Sequence, residues 1–277
     1  MINGYYNAAG GMITQMNRLD IISNNLANLN TTGFKRDDIV IGDYERLSQE
    51  YQDKLPYKNQ TKEAAQYLNH SLNRVPHIVD KYTEFTQGPV QATAAPLDFN
   101  LKQGDTFFAV ETPEGVRYTR SGDFTQNAQG RLVTKDGYPV LPNNYFSSKS
   151  YINIPEGADV IVNTSGGLVY NLVDAPLSQL PLEPTDNLMV VKFDNLQKLK
   201  KEGNNLYRYD GEDAPTVAND LNLVAQGFLE KSNVNGVKEM TSLIEVSRLV
   251  GMYQKVMDMQ MNDLQNEAIN KLANARA

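Results

Sequence analysis

The sequence predicts an α+β protein: two long helices at its extremities, pairing as an antiparallel coiled coil, and a central antiparallel β domain of sandwich or barrel-like packing. Three observations predict it. All twelve prolines lie between Pro56 and Pro215, so both ends are free of the strongest helix breaker. Eight of the nine methionines show the reverse distribution, with only Met189 in the middle. Flexible thioether side chains fill irregular gaps, so their concentration marks adaptable helical contact surfaces. Between the ends, short β-rich runs alternate with clusters of Gly, Asn, Asp and Pro.

At the front, Ile2, Tyr5, Ala9, Met12, Met16, Leu19, Ser23 and Leu26 recur in steps of three and four, the spacing of one helical face. A helix from Ile2 to Leu29 is about 42 Å long at 1.5 Å per residue, and a stripe of that length needs a partner. Its end is expected in the Asn-rich stretch Asn24-Asn25-Leu26-Ala27-Asn28-Leu29-Asn30, before Thr31, Thr32 and Gly33. At the back, Leu243, Val246, Val250, Tyr253, Met257, Met261, Leu264, Ala268, Leu272 and Ala275 recur every 3.6 residues or so, widened by Leu249, Met252, Val256 and Met259. The chain leaves the first helix into the middle and returns from it into the second, so the simplest pairing is antiparallel. Periodicity is equally compatible with an intramolecular hairpin, while the width of the stripes favours neighbours from other chains.

In the middle, strands are expected at 97–101, 107–110, 116–119, 131–134, 160–162, 168–172 and 188–193, with turns at Pro113-Glu114-Gly115, Ala128-Gln129-Gly130, Asp136-Gly137, Ser165-Gly166-Gly167 and Gly203-Asn204-Asn205. Residues 37–95 read as an extended arm or linker. Tyr44 to Leu55 is compatible with either a short helix or an extended arm.

A net charge of -7 argues against a protein that grips nucleic acid backbone. With no cysteine, disulfides, thiolate metal sites and cysteine nucleophiles are excluded. The start of the chain lacks the pattern of a secretory signal, and no apolar run is long enough for a membrane helix. Glycine-rich phosphate loops, the two-histidine zinc motif and the serine elbow are missing. His70, His77 and Asp80 share a helical spacing, but Pro76 interrupts it, so they read as ordinary surface residues. Asp37-Asp38 reads as a pair of solvated charges, because adjacent side chains diverge.

Ser23-Asn24-Asn25-Leu26-Ala27-Asn28-Leu29-Asn30-Thr31-Thr32-Gly33-Phe34-Lys35-Arg36 resembles the N-terminal signature of the bacterial flagellar basal-body rod and hook proteins. Gly227-Phe228-Leu229-Glu230-Lys231-Ser232-Asn233-Val234, with Val237, Glu239-Met240 and Arg248, resembles that family's C-terminal motif. Tyr118-Thr119-Arg120-Ser121-Gly122-Asp123-Phe124 and Asp136-Gly137-Tyr138-Pro139-Val140-Leu141 resemble its shared β domain. Gln87-Gly88-Pro89-Val90 and Lys201-Glu202-Gly203-Asn204-Asn205-Leu206-Tyr207 look most like proximal-rod members, with distal-rod members close. Thr106 departs from the pattern, which usually has glycine there, as do Leu249-Val250, which usually follow the arginine as Ala-Tyr or an aromatic pair.

The resemblance implies a structural subunit of the rod, not an enzyme, with no cofactor and no metal. It implies export through the flagellar type III apparatus without a cleaved signal, then polymerisation into the periplasm-spanning shaft that transmits torque. The implied partners are copies of itself, other rod and hook proteins and the export apparatus, with no nucleic acid and no direct membrane insertion. The implied parts are 1–36 (inner tube), 37–95 (arm), 96–227 (β domain) and 228–277 (inner tube). Subunit contacts are expected at Met12, Met16, Leu19, Asn24, Asn25, Leu26, Asn28, Thr31, Gly33, Phe34, Leu243, Val246, Val250, Tyr253, Met257, Met261 and Leu264. Two other readings remain open: a β-rich extracellular binding module on a helical stalk, and a hydrolase that opens the cell wall.

Overall fold

The computed structural model describes residues 2–43, 76–155, 157–163, 166–172, 186–211, 215–218 and 223–274, which form two compact units. Of the described residues, the first draws on 2–27, 37–43, 76–82 and 235–274, and the second on the rest. Tyr44 to Leu55 and His70 lie outside the described residues.

The first unit is dominated by α1 (Ile2–Ala27) and α3 (Gly236–Asn274). At 39 residues α3 is about 58 Å long, well beyond what helix propensity alone sustains in water. Its start follows from Asn235, whose side-chain oxygen accepts the Lys238 amide at 3.1 Å while its carbonyl accepts the Glu239 amide, the usual work of an N-cap asparagine. The helices pack side by side and antiparallel. A side chain added at Gly4 would strike Gln260 and one at Gly11 would strike the Tyr253 ring, so an advance along α1 is matched by a retreat along α3. Strands β1 (Asp37–Asp43) and β2 (Pro76–Thr83) form a two-stranded sheet beside α1. The Asn25 side chain is fully buried there, donating to the Asp37 carbonyl at 2.8 Å and accepting the Asp37 amide at 3.0 Å.

The second unit is built on an antiparallel six-stranded sheet. Its centre is β5 (Thr106–Thr112), paired with β6 (Gly115–Thr119) on one side and β12 (Val190–Lys192) on the other. Strands β14 (Leu206–Tyr209) and β13 (Leu199–Gly203) extend it beyond β6, and β15 (Thr216–Val217) closes the far edge. Period-2 alternation buries both faces. Phe107, Ala109, Val191 and Tyr207 pack with Phe85, Leu141, Phe193 and Leu199 on one side. Phe108, Val110, Val190 and Leu206 pack on the other with Phe99, Leu132, Leu168 and Val224. Those last residues come from smaller pairs: β4 (Phe99–Leu101) with β16 (Val224–Gln226), β7 (Thr125–Gln126) with β8 (Leu132–Val133), and β10 (Gly167–Leu172) between β9 (Ala158–Val162) and β11 (Asp186–Asn187). Finally, β3 (Val90–Ala92) pairs with β17 (Phe228–Glu230), and a single turn, α2 (Tyr145–Ser148), sits on the surface.

The expected α+β class with terminal helices and a central antiparallel β domain is therefore present. One residue corrects the sequence reading: Asp37 is not solvated but 2% exposed, with Lys81 Nζ at 3.4 Å from its carboxylate. Its backbone bonds to Asn25 carry the carboxylate inside. Thr106, where the pattern has glycine, keeps an ordinary strand conformation and uses its hydroxyl to donate to the Gln103 carbonyl at 2.9 Å.

Candidate functional site

The helix pair of the first unit covers only part of its apolar surface. The buried positions of α1 are Ala8, Gly11, Thr14, Ile22 and Asn25, mostly small or polar. Thr14 is satisfied by donating its hydroxyl to the Gly10 carbonyl at 3.0 Å and the Pro76 carbonyl at 2.8 Å. Several large apolar side chains point outward. Tyr6, Ile13 and Met16 are at least half exposed on α1, and Val237, Met240, Ile244, Met252 and Met259 are on α3, with Val256 close behind. At about 100° per residue, these α3 positions form a stripe, interrupted by Arg248, on the side opposite Glu239, Val246, Tyr253 and Met257. The helix thus has two apolar faces, and α1 covers only one.

The residues nominated from periodicity fall across this division. Met12, Leu19 and Leu26 are half-buried and flank the small-residue face of α1; Met16 and Asn24 are exposed, and Asn25 is buried. On α3, Val246 is buried, Leu243, Val250, Tyr253 and Met257 are half-buried, and Met261 is exposed. The Leu264 side chain lies outside the described residues. Asn28 and Thr31 are half-buried in the second unit, where the Asn28 carbonyl accepts the Thr31 amide at 3.2 Å. Gly33 and Phe34 are buried there, with Lys201 Nζ 4.0 Å above the Phe34 ring.

The sequence reading missed what holds Gly33 and Phe34 in place. Lys35, Arg120 and Glu230 meet in the interior of the second unit with side chains at most 1% exposed. Lys35 Nζ donates to Glu230 Oε1 at 2.6 Å and to the Thr86 carbonyl at 2.8 Å. The Arg120 guanidinium donates through Nε to Glu230 Oε2 at 3.0 Å and through Nη2 to the same oxygen. Its remaining donors reach the carbonyls of Leu101, Gln103 and Thr106. The Gly88 amide completes the carboxylate's set at 2.9 Å. Two cations on one anion leave an excess positive charge; burial, with the Arg120 charge adding to it, pulls Lys35 down to about 8. The Arg120 and Lys35 charges, against the opposing effect of burial, hold Glu230 below the usual carboxylate range.

Two glycines make this approach possible. Gly33 adopts φ +67° with its amide donating to the Glu230 carbonyl at 2.8 Å, and a Cβ there would sit 2.5 Å from the Arg120 backbone. At Gly88, a Cβ would sit 2.0 Å from the Lys231 carbonyl oxygen. Beside them, Asn233 Oδ1 accepts the Arg36 amide at 2.7 Å and its side-chain amide donates to the Glu84 carbonyl at 2.8 Å. Among the described residues no cluster of His, Asp or Glu is placed to hold a metal ion.

Three family models match this chain in order: the flagella basal body rod protein model over residues 6–35, the flagellar hook protein FlgE/F/G D1 domain model over 103–170, and the flagellar basal body rod FlgEFG protein C-terminal model over 225–270. Each matched segment contributes one member of the buried cluster: Lys35, Arg120 and Glu230. The flagellar basal-body rod protein FlgF of Caulobacter vibrioides is 32% identical over 98% of both chains. The chain belongs to the flagellar basal-body rod protein family. FlgG of Agrobacterium fabrum is 35% identical over 90% of this chain and 92% of its own, and FlgG of Bacillus subtilis is 32% identical over 90% and 91%. Membership makes the chain a structural subunit of the flagellar basal body, not an enzyme.

Proposed function

We propose that this chain polymerises through its terminal helices into the rod, with copies of itself and other rod and hook proteins, and that the resulting shaft transmits torque. The observation that carries this reading is the outer apolar face of α3: Val237, Met240, Ile244, Met252, Val256 and Met259 stand in water on the side away from α1. Leaving apolar patches exposed on both sides of Arg248 is unfavourable for a monomer, and the exposure is removed when another helix covers them. The outer residues of α1, Tyr6, Ile13 and Met16, supply a second surface on the same molecule. A contact that pairs these two different surfaces is heterologous, and heterologous contacts that do not close into a ring build open helical arrays.

In this reading α1 and α3 supercoil as a coiled coil within an inner tube, with Met12, Leu19, Leu26, Asn24 and Met261 at contacts between subunits. Methionine suits it, because one flexible side chain accommodates the slightly different packings of a mixed helical assembly. The chain reaches the rod through the flagellar export apparatus, without a cleaved signal. The match to FlgF, running through 98% of both chains, supports a place in the proximal part of the rod.

The test substitutes Ile244→Asp and Met252→Asp in the full chain. Both positions are exposed, so the β unit should fold normally by near-ultraviolet circular dichroism. Basal bodies purified from cells carrying either variant should lack the chain, and motility should be lost. Incorporation at the normal level would refute the proposed contact.

A further inference from the structure

Glu230 is the only anion bonded to two cations in the interior of the second unit, as the described residues show it, and it arrives last. Lys35 lies 195 residues before it and Arg120 lies 110 residues before it. Arg120 follows β6 directly, and its guanidinium spans the carbonyls of Leu101, Gln103 and Thr106, from the end of β4 to the start of β5. The ring of Phe107, the next residue of β5, lies 5.7 Å from that guanidinium. The six-stranded sheet therefore packs against a cation whose counter-charge belongs to β17, the last strand of the chain.

Burying an unpaired cation is strongly unfavourable, and so is closing a loop of this length before its contacts offset the lost entropy. The sheet alone compensates neither. Docking β17 against β3 brings the carboxylate in, and the same movement seats the N-terminal motif: the Glu230 carbonyl accepts the Gly33 amide, and the Phe34 carbonyl accepts the Asn233 amide at 3.4 Å.

We infer that the Glu230 carboxylate is a folding latch: the β body of the second unit becomes protected only in the step in which the C-terminal motif docks onto Arg120 of that body and Lys35 of the N-terminal motif. The latch makes a folded body conditional on the C-terminal motif. A subunit lacking that motif has no folded body to display, so every folded body carries the C-terminal segment. This inference goes beyond the rod reading and stands whether or not the chain polymerises.

The test is pulse-labelling hydrogen exchange on the full chain refolding from denaturant, read over β5 (106–112), β6 (115–119) and β17 (228–230). The latch predicts that all three gain protection in one phase, and that Glu230→Gln slows that phase at least tenfold or abolishes it. Protection of β5 and β6 in an earlier phase than β17 in the wild-type chain would overturn it. So would a Glu230→Gln chain that refolds at the wild-type rate and only unfolds faster, the behaviour of a contact formed after the barrier. The wild-type comparison decides the matter even where the variant does not fold.

Discussion

Lys35 and Glu230, 195 residues apart in the chain, meet at 2.6 Å with neither side chain more than 1% exposed. The contact joins the N-terminal and C-terminal motifs within one β unit, and Arg120 makes it a three-charge cluster. Its energetics are asymmetric. Removing the anion strands two cations, whereas removing Lys35 leaves a satisfied Arg120–Glu230 pair.

Glu230→Ala is therefore expected to destabilise the second unit by about 3–5 kcal/mol, the range for breaking a buried ion pair from one side. Lys35→Met should cost markedly less. Chemical denaturation followed by tyrosine fluorescence measures both, and equal losses would contradict the assigned geometry.

The same cluster predicts a pH signature. Lys35 titrates near 8 in the folded chain, against 10.5 for an ordinary lysine, so the unfolded state holds more protons between these limits. Stability contributed by this group then rises as pH goes from about 8 towards 10.5. Glu230 works in the other direction: its contribution is present above the ordinary carboxylate value and is lost as pH falls through its depressed one. Unfolding midpoints measured across the alkaline range should rise less in Lys35→Met than in the wild type; identical profiles would count against the shift.

Two glycine substitutions should have opposite signs. Gly88→Ala places a methyl group 2.0 Å from a backbone oxygen that cannot swing aside, and a loss of at least about 2 kcal/mol is expected. Gly251 lies inside α3 with nothing within 4 Å of where a Cβ would stand, so Gly251→Ala should raise helix stability by up to about 1 kcal/mol. Thermal melts of the two variants check the pair, and a stabilising Gly88→Ala would show that the segment at Gly88 and the C-terminal motif at Lys231 do not approach this closely.

Much of this architecture was legible in the sequence, and what escaped did so for identifiable reasons. Proline and methionine distribution marked the terminal helices, and alternation marked β5, β6, β9 and β10. The buried face of α1 escaped because Ala8, Gly11 and Thr14 carry little hydrophobic signal, so periodicity selected Met12, Met16 and Leu19 about a third of a turn away. Strand β13 escaped because an edge strand carrying Lys200, Lys201 and Glu202 reads as polar loop, which is how edges are protected from pairing. The charge cluster escaped because its members are far apart in the sequence, Lys35 and Arg120 lying 195 and 110 residues before Glu230. Only the fold brings Lys35, Arg120 and Glu230 together, although each sits beside buried residues in its motif.

The central claim is that the outer apolar face of α3 is covered only in the rod, and its methionines report on this directly. Met240, Met252 and Met259 are each more than half exposed, while Met189 is 1% exposed in the β unit. Mild peroxide converts accessible methionine to sulfoxide, and peptide mass spectrometry counts the product site by site. The account predicts rapid oxidation of Met240, Met252 and Met259 in the free chain, strong protection of all three in purified basal bodies, and a slow Met189 in both. Equal oxidation of the three α3 methionines in free chain and basal body would contradict it.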